Sequence, residues 1–441
     1  MIPTTRRRGR PRSGVLAALL ILTAPCAAVA QEVQAPLSAA LVSADSAISA
    51  ATTAETIPGA VLLVARDGKV VYERAFGAAK LYDYGMRRLD RPEPMTAEHG
   101  FDLASVTKVM ATTYAMMLLV DRGLIALDSP VYTYLPDFRG LEKDSITVRD
   151  LLTHRAGLYR WKPTFYHATN AAGVYAYIRD LPLEFKVHEG RHYSDLGFML
   201  AGYIVERVSG KPLDTFLADE LYGPLALAHT GFRRGGMGPA GPIAATSHGN
   251  PYEYRMVADD NFGYLCDEDP AAFTGWRKYT LQGEVNDGNS WYGHGGVAGH
   301  AGLFSSAREL NVLLQVLLAG GMYGGRRIVS PETVGTFLTP DAFTGNGVGW
   351  AISKSDAAPA VQTFSHGGFT GTYVAGVPEL GLAIVFLSNR QNVGQDTAGY
   401  YPNVGRIYSP VVQRIVQAAG TAARAQAQAS GAGAPGVRAR R

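Results

Sequence analysis

Cysteine is nearly absent: the 441-residue chain holds only Cys26 and Cys266. Once an export segment containing Cys26 is removed, as argued below, no intramolecular disulfide is possible. An exported chain of that kind is held together by its core alone. Charged residues are also sparse, at 18% against 47% hydrophobic. That balance is globular, with ample material for a core. No basic stripe is present to meet phosphates, so a nucleic-acid partner is disfavoured. No His-Glu-x-x-His occurs, and no internal repeat marks a solenoid or propeller.

The one markedly apolar run lies at the start. Arg6, Arg7, Arg8, Arg10 and Arg12 precede GVLAALLILTAPCAAVA, which ends in Ala28-Val29-Ala30. A basic opening, a short apolar run and small residues at its end read as a signal peptide over 1–30, with Gln31 as the mature start. The run is too short to span a membrane comfortably. No stable span is therefore expected after cleavage, and the mature chain is expected in the periplasm or outside the cell. The whole chain carries +3; without those five arginines it carries about −2. Arg424, Arg438, Arg440 and Arg441 lie in the Ala/Gly-rich end, which leaves about −6 on the folded part.

Residues 38–53 have a helical pattern. PGAVLLVARDGKVVYERAFG, 58–77, reads as two strands about Asp67-Gly68, a hairpin signal. TYVAGVPELGLAIVFLSN, 372–389, repeats the pattern about Glu379-Leu380-Gly381, and 406–419 reads as a closing helix. Between these ends, 147–154, 196–208 and 307–319 are helical. Strands at both ends and helices between them predict an α/β (α+β) fold. One antiparallel sheet is built from both chain ends, with a mostly helical lobe, about 120–340, inserted. The folded domain is expected over 31–415, and the low-complexity residues 420–441 are expected to be disordered. Residues 232–302 are Gly-rich, aromatic and polar. They are long for a loop, so they are either functional or poorly ordered.

The chemistry is concentrated in 102–122. Val109, Met110, Tyr114, Met117, Leu118 and Val120 form a buried helical face, yet the segment opens with Ser105 and Lys108. A serine hydroxyl is a weak nucleophile until its proton is removed. A lysine three residues on lies one turn away on the same face. Shielded from water, its pKa falls and it can accept or relay that proton. Ser105 as a helix cap and Lys108 as a snorkelling side chain form the blander alternative.

Two further elements weigh against the bland reading: Tyr193-Ser194-Asp195 within HYSDLGFMLAGYIVE, and His366-Gly367-Gly368 within SHGGFTGT. With Ser105-x-x-Lys108 they resemble the three-element signature of the serine β-lactamase and penicillin-binding protein superfamily. The Tyr-first second element is similar to the class C β-lactamase branch. FDLASVTKVM, ITVRDLLTHRAGL, YGPLALAHTGF and GGVAGHAGLFSSAREL extend the likeness over about 40–410. GEVNDGNSWYGHGGVAGHAGLFSSA resembles penicillin-binding protein 4b-type D-alanyl-D-alanine carboxypeptidases. The resemblance implies a β-lactamase/transpeptidase-like fold in which Ser105 is acylated, Lys108 holds or relays its proton, and Tyr193 is general base and then acid. It places the oxyanion hole at the N–H groups of Ser105 and Phe369, worth about 3–4 kcal/mol each. Asp195 sets the lysine, His366 lies on the edge strand beside the site, and both join Gly368 and Phe369 as the implied substrate-binding and oxyanion residues.

Two departures from the pattern matter. His366 stands where a lysine is usual and is mostly neutral at pH 7. Asp195 stands where an asparagine is usual and, when ionised, only accepts hydrogen bonds. Both remove positive or donating character where a substrate carboxylate would lie.

Other candidates read as structural. His294 and His300 flank GGVAG, but no carboxylate or cysteine completes a metal set, so neither a metal nor another cofactor is expected. Ser247 sits in a weak imitation of a nucleophile elbow and is followed by Asn250-Pro251, where a helix should begin. Asp267, Glu268 and Asp269 form an acidic turn. Trp276 and Trp291 suit packing or a cleft wall, and Glu284 and Asp287 look structural. The expected function is thus an exported serine hydrolase working through an acyl-enzyme on a small-molecule or peptide acyl substrate derived from peptidoglycan, as a D-alanyl-D-alanine carboxypeptidase. The alternatives are a short-chain esterase, and a penicillin-binding or wall-fragment-sensing protein that never turns over.

Overall fold

The computed structural model describes residues 24–355 and 358–431. Residues 1–23 of the expected signal peptide lie outside the described residues, and Ala24–Thr53 form one helix, α1. No helix among the described residues is long and apolar enough to cross a membrane.

The first hairpin forms at Asp67-Gly68, between β1 (Gly59–Arg66) and β2 (Lys69–Asp83). Both turn residues have positive φ, 49° and 77°, as a two-residue turn between right-twisted strands requires. β3 (Arg87–Pro94) extends the meander. The other end of the chain supplies β4 (Ala351–Ser355), β5 (Ala358–Gly367), β6 (Tyr373–Val377) and β7 (Leu382–Ser388). The sheet order is β4-β5-β6-β7-β1-β2-β3, antiparallel throughout. The two chain ends join where β1 pairs with β7, from Ala60–Ser388 to Arg66–Leu382.

β1 and β7 are buried on both faces, so they read as continuous apolar runs instead of alternating. Val61, Leu63, Val385 and Leu387 point to the core shared with the helical lobe. Leu62, Val64, Ile384 and Phe386 point to a second core, closed by α1 and the last helix. The helices that matter below are α2 (Tyr114–Asp121), α3 (Asp195–Ser209), α4 (Ala307–Leu318) and α5 (Gly405–Gly431). α5 continues beyond the expected 406–419, and Ala422 on it is buried. Residues 432–441 lie outside the described residues.

Residues 232–302 hold short elements, among them paired strands Ala245–His248 and Thr280–Gln282 and helices Pro251–Ala258 and Gly288–His294. Met256, Val257 and Phe262 pack with Trp161 and Phe165 into a small core of their own. The strand carrying His366, β5, is second in the sheet and not at its edge, which corrects the expectation. β4 covers it only as far as the Ala351–Ser365 pair, so its far side is open from His366 onward.

Candidate active site

The segment read as one helix over 102–122 is in fact a short 3-10 turn (Ala104–Val106), a π-helical turn (Lys108–Thr113) and then α2. Ala104 has φ 44°, a left-handed conformation that costs a residue with a Cβ about 1–2 kcal/mol. Asp102 holds it there. One carboxylate oxygen accepts the Ala104 N–H at 2.8 Å and the other accepts the Asn286 N–H at 2.5 Å. Burial pushes the Asp102 carboxyl up to about 6 despite these two donors. The kink turns Ser105 into a cleft at the edge of an otherwise buried segment.

Lys108 is fully buried. Its Nζ donates to Ser105 Oγ at 3.0 Å and to the His300 carbonyl at 3.2 Å, and lies 2.7 Å from Asp195 Oδ1. It also sits 5.0 Å from the centre of the Tyr193 ring. Burial alone would lower its pKa, but Asp195 and Tyr193 outweigh burial and hold it above the ordinary lysine value. The expectation of a lysine with a lowered pKa is thereby corrected. The sequence shows the shielding but not the counter-charge that meets it.

Tyr193 and Asp195 sit on a tightly pinned loop at the start of α3. Ser194 caps the helix, its side chain accepting the Gly197 N–H and donating to the Tyr159 carbonyl. The Ser194 N–H donates to His154 Nδ1 at 3.0 Å, and the His192 N–H to the His154 carbonyl at 2.8 Å. The His154 ring lies 4.4 Å from that of Tyr193. Burial, then the Arg191 and Lys108 charges, keep His154 neutral far below the usual histidine range. His154 is a buried support that went unnoticed in the sequence, although it stands in the THRAG phrase.

Across the cleft runs the third element. His366 is buried, its Nδ1 donating to the Gly367 carbonyl at 2.8 Å. Burial, Lys108 and Arg191 drive it down to about 3, so it is neutral in any physiological range. Gly368 and Phe369 form a turn closed by Gly371 N–H to the Gly368 carbonyl. A Cβ on Gly368 would fall 2.1 Å from Thr372 Oγ1 and 2.3 Å from the Leu103 carbonyl. Only glycine lets this turn lie against the strand end that leads to Ser105.

Ser105, Tyr193, Asp195 and Phe369 line one cleft of about 660 Å³. Much of its opposite wall comes from 232–302: Asn250, Tyr252, Glu253, Phe262, Tyr264 and Asp287 among others. Asp287, which read as structural, faces this cleft. It accepts from Ser290 N–H and lies 2.9 Å from His300 Nε2. Burial opposes its charge, but His300, Ser290 and Lys108 outweigh it and keep the carboxyl ionised. Glu253, wholly buried beside it, is pushed up by burial and by the Asp287 charge. Asp195, Asp287 and His300 bring ligand-type atoms within 4.8 Å of one another. Carboxylates do therefore stand by His300, contrary to expectation. The Lys108 ammonium already occupies Asp195, and His300 occupies Asp287.

The glycine-rich GGVAGHAG strap passes behind Lys108. A Cβ on Gly299 would meet the Phe198 carbonyl of α3 at 2.0 Å, so the strap touches that helix backbone directly. His294 lies off the cleft. Its Nδ1 is 2.8 Å from the Asn289 carbonyl and its Nε2 2.7 Å from the Tyr203 hydroxyl, and burial lowers it to about 4. Ser247 also lines the cleft, but its hydroxyl donates to the Gly249 carbonyl.

Comparison with known proteins agrees with this geometry. The Beta-lactamase family matches residues 44–406. An N-acetylmuramyl-L-alanine amidase of Bacillus subtilis (strain 168) is 34% identical over 373 residues, covering 79% of this chain and 80% of that one. A protein of Salmonella agona (strain SL483), named a D-alanyl-D-alanine carboxypeptidase, is 34% identical over 372 residues, covering 79% and 82%. The crystal structure of a class C β-lactamase from Rhodobacter sphaeroides superposes with a TM-score of 0.59 at 20% identity, covering 85% of this chain and 98% of that one. The chain belongs to the β-lactamase family and is a serine hydrolase of that fold.

Proposed function

We propose that the protein is exported and hydrolyses D-alanyl-D-alanine ends of cell-wall peptides through an acyl-enzyme on Ser105. The observation that carries this reading is the 3.0 Å contact of Lys108 Nζ with Ser105 Oγ, inside a cleft that also holds Tyr193 and Phe369. The names of the two relatives, an amidase and a carboxypeptidase, support amide hydrolysis. The basic and apolar opening of the chain supports export.

Ser105 Oγ attacks the carbonyl carbon of the penultimate residue. The new O–C bond forms as the carbonyl electrons move onto oxygen, where the Ser105 and Phe369 N–H groups stabilise the charge. Asp195 keeps Lys108 an ammonium, so Lys108 acts as donor and charge. Tyr193, whose ring centre lies 5.0 Å from the Lys108 ammonium, takes the serine proton. The C–N bond then breaks, Tyr193 returns the proton to the leaving amine, and D-alanine departs. Water repeats the attack on the ester and frees Ser105.

A short-chain esterase is the second reading, favoured by the neutrality of His366. Mass spectrometry after exposure to a labelled penicillin, a phosphonate and an activated ester tests the acyl-enzyme, with Ser105→Ala as control. Wild type should gain one adduct at Ser105. No adduct from any donor sinks the enzyme reading, and an adduct that persists for hours points to a sensor. D-alanine release from a D-Ala-D-Ala peptide, compared with nitrophenyl ester turnover, separates peptidase from esterase.

A further inference from the structure

The third element leaves the cleft short of one positive charge. His366 stands where the superfamily signature has lysine, and it is neutral, buried and bonded to its neighbour's carbonyl. Lys108 does not fill the gap. Its charge is met by Asp195 at 2.7 Å, and Asp287 beside the same network is also ionised. Each carboxylate on the floor of the cleft already has its own partner, Lys108 on Asp195 and His300 on Asp287, and neither pair leaves a free cation. A substrate ending in a carboxylate therefore needs another cation to face it.

Two arginines line the cleft, Arg160 and Arg191. Neither guanidinium has an ion-pair partner among the described residues. Their surroundings differ. Arg191 lies two residues before Tyr193, and its charge is felt by both His366 and His154. The Tyr193 ring lies 6.3 Å from that of His366, so this loop stands on the side where β5 and the third element run. The charge of Arg160 is felt by Tyr264, on the opposite wall. The backbone around Arg191 is fixed on both sides. The His192 ring stacks on Phe185 at 3.5 Å, the His192 N–H bonds the His154 carbonyl, and the Asp195 N–H bonds the Arg160 carbonyl at 3.0 Å. The backbone is pinned while the Arg191 side chain is exposed and lines the cleft, and its guanidinium offers a planar pair of donors, the shape a carboxylate accepts in two parallel hydrogen bonds.

The geometry points to Arg191 as the residue that grips the C-terminal carboxylate of the substrate, supplying from the Tyr193 loop the charge that His366 lacks. This rests on the peptidase reading above and gives that reading its substrate class: acyl donors ending in a free carboxylate. The departures at 366 and 195 then no longer count against a peptide substrate, because the cation has moved from the sheet to the loop.

The test separates recognition from turnover. In a Ser105→Ala background, binding of an N-acylated peptide ending in D-alanyl-D-alanine is compared with that of its C-terminal amide by calorimetry. The carboxylate should bind at least tenfold more tightly. Arg191→Gln should bring that ratio close to one, Arg191→Lys should restore part of it, and Arg160→Gln should leave most of it. No preference in the parent, a preference that survives Arg191→Gln, or one lost only with Arg160→Gln overturns the assignment. Circular dichroism confirms that each variant is folded. Failure of the underlying peptidase reading shows elsewhere, as absence of any Ser105 adduct in the wild-type protein.

Discussion

Lys108 Nζ lies 2.7 Å from Asp195 Oδ1, and this contact decides the protonation of the nucleophile's neighbour. A buried lysine without a counter-ion titrates far below its ordinary value. With Asp195 in place, the pKa instead stays high. Asp195→Asn restores the residue usual in the signature and removes the charge. Burial then prevails, and Lys108 should lose its proton within the neutral range. The rate of Ser105 acylation, followed with a labelled penicillin or phosphonate from pH 6 to 9, should show no lysine inflection in wild type. The variant should gain one, with a fall of about tenfold or more at pH 7, about 1.4 kcal/mol per tenfold of rate. Superimposable profiles would show that Asp195 does not set the lysine.

Gly368→Ala addresses the turn that presents the Phe369 N–H. The added Cβ meets Thr372 Oγ1 and the Leu103 carbonyl, at 2.1 and 2.3 Å. Neither can withdraw freely, because the Thr372 hydroxyl itself donates to that carbonyl at 3.0 Å. Overpacking of this kind costs about 1–3 kcal/mol. A misplacement near 1 Å at a reacting centre costs on the order of a hundredfold in rate. Both the melting temperature and the acylation rate should fall. Gly335→Ala is the control: it lies in a helix with open space around it, so it should be neutral or stabilising by about 0.5–1 kcal/mol.

The sheet was legible because β1 and β7 carry unbroken apolar runs beside short turns, and the turn residues Asp67 and Gly68 announce their own conformation. The Ser105–Lys108 pair was legible because a spacing of three is about one turn both in the 3-10 segment Ala104–Val106 and in the α-helix the pattern predicts. Three things were not legible. The left-handed Ala104 depends on Asp102 and Asn286, which are 184 residues apart. The raised pKa of Lys108 depends on Asp195, whose position beside it exists only in the fold. Asp287 reads as any polar loop residue until Gly288–His294 turns it towards His300. Periodicity reports which face is buried, and does not report which distant charge is buried with it.

Acid stability follows from groups held in unusual states. His154, His294 and His366 are all depressed, the last two to about 4 and 3. The unfolded chain takes up their three protons as pH falls below about 6.5, so their stabilisation is lost in that direction. Asp102, raised to about 6, and Glu253, also raised, act oppositely. They are protonated in the native state and ionised in the unfolded one, so they favour folding as pH falls through the native value. Burial also depresses His248 and raises Glu206, so four histidines against three carboxyls leave a net uptake of protons on unfolding between pH 6 and 5, at about 1.4 kcal/mol per pH unit for each proton. Denaturant midpoints across that interval should fall with acid, and His294→Gln should flatten the slope. A wild-type curve that rises with acid would mean that the three carboxyls dominate.

Ser105→Ala and Lys108→Ala should differ in kind. Ser105 is partly exposed at the mouth of the cleft, and its hydroxyl receives a hydrogen bond from Lys108. Removing it abolishes acylation and should change the unfolding free energy by less than about 1 kcal/mol. Removing Lys108 leaves Asp195 without its cation and empties a fully buried site. Breaking a buried pair from one side costs about 3–5 kcal/mol, and the lower figure applies here because Asp195 is partly exposed. Lys108→Ala should thus lose acylation and about 3 kcal/mol. Adding Asp195→Ala to it should recover part of the stability and none of the activity. That recovery, read from denaturant titrations of the two single variants and the double one, measures the coupling directly. Strict additivity would mean that the 2.7 Å contact contributes nothing to the fold.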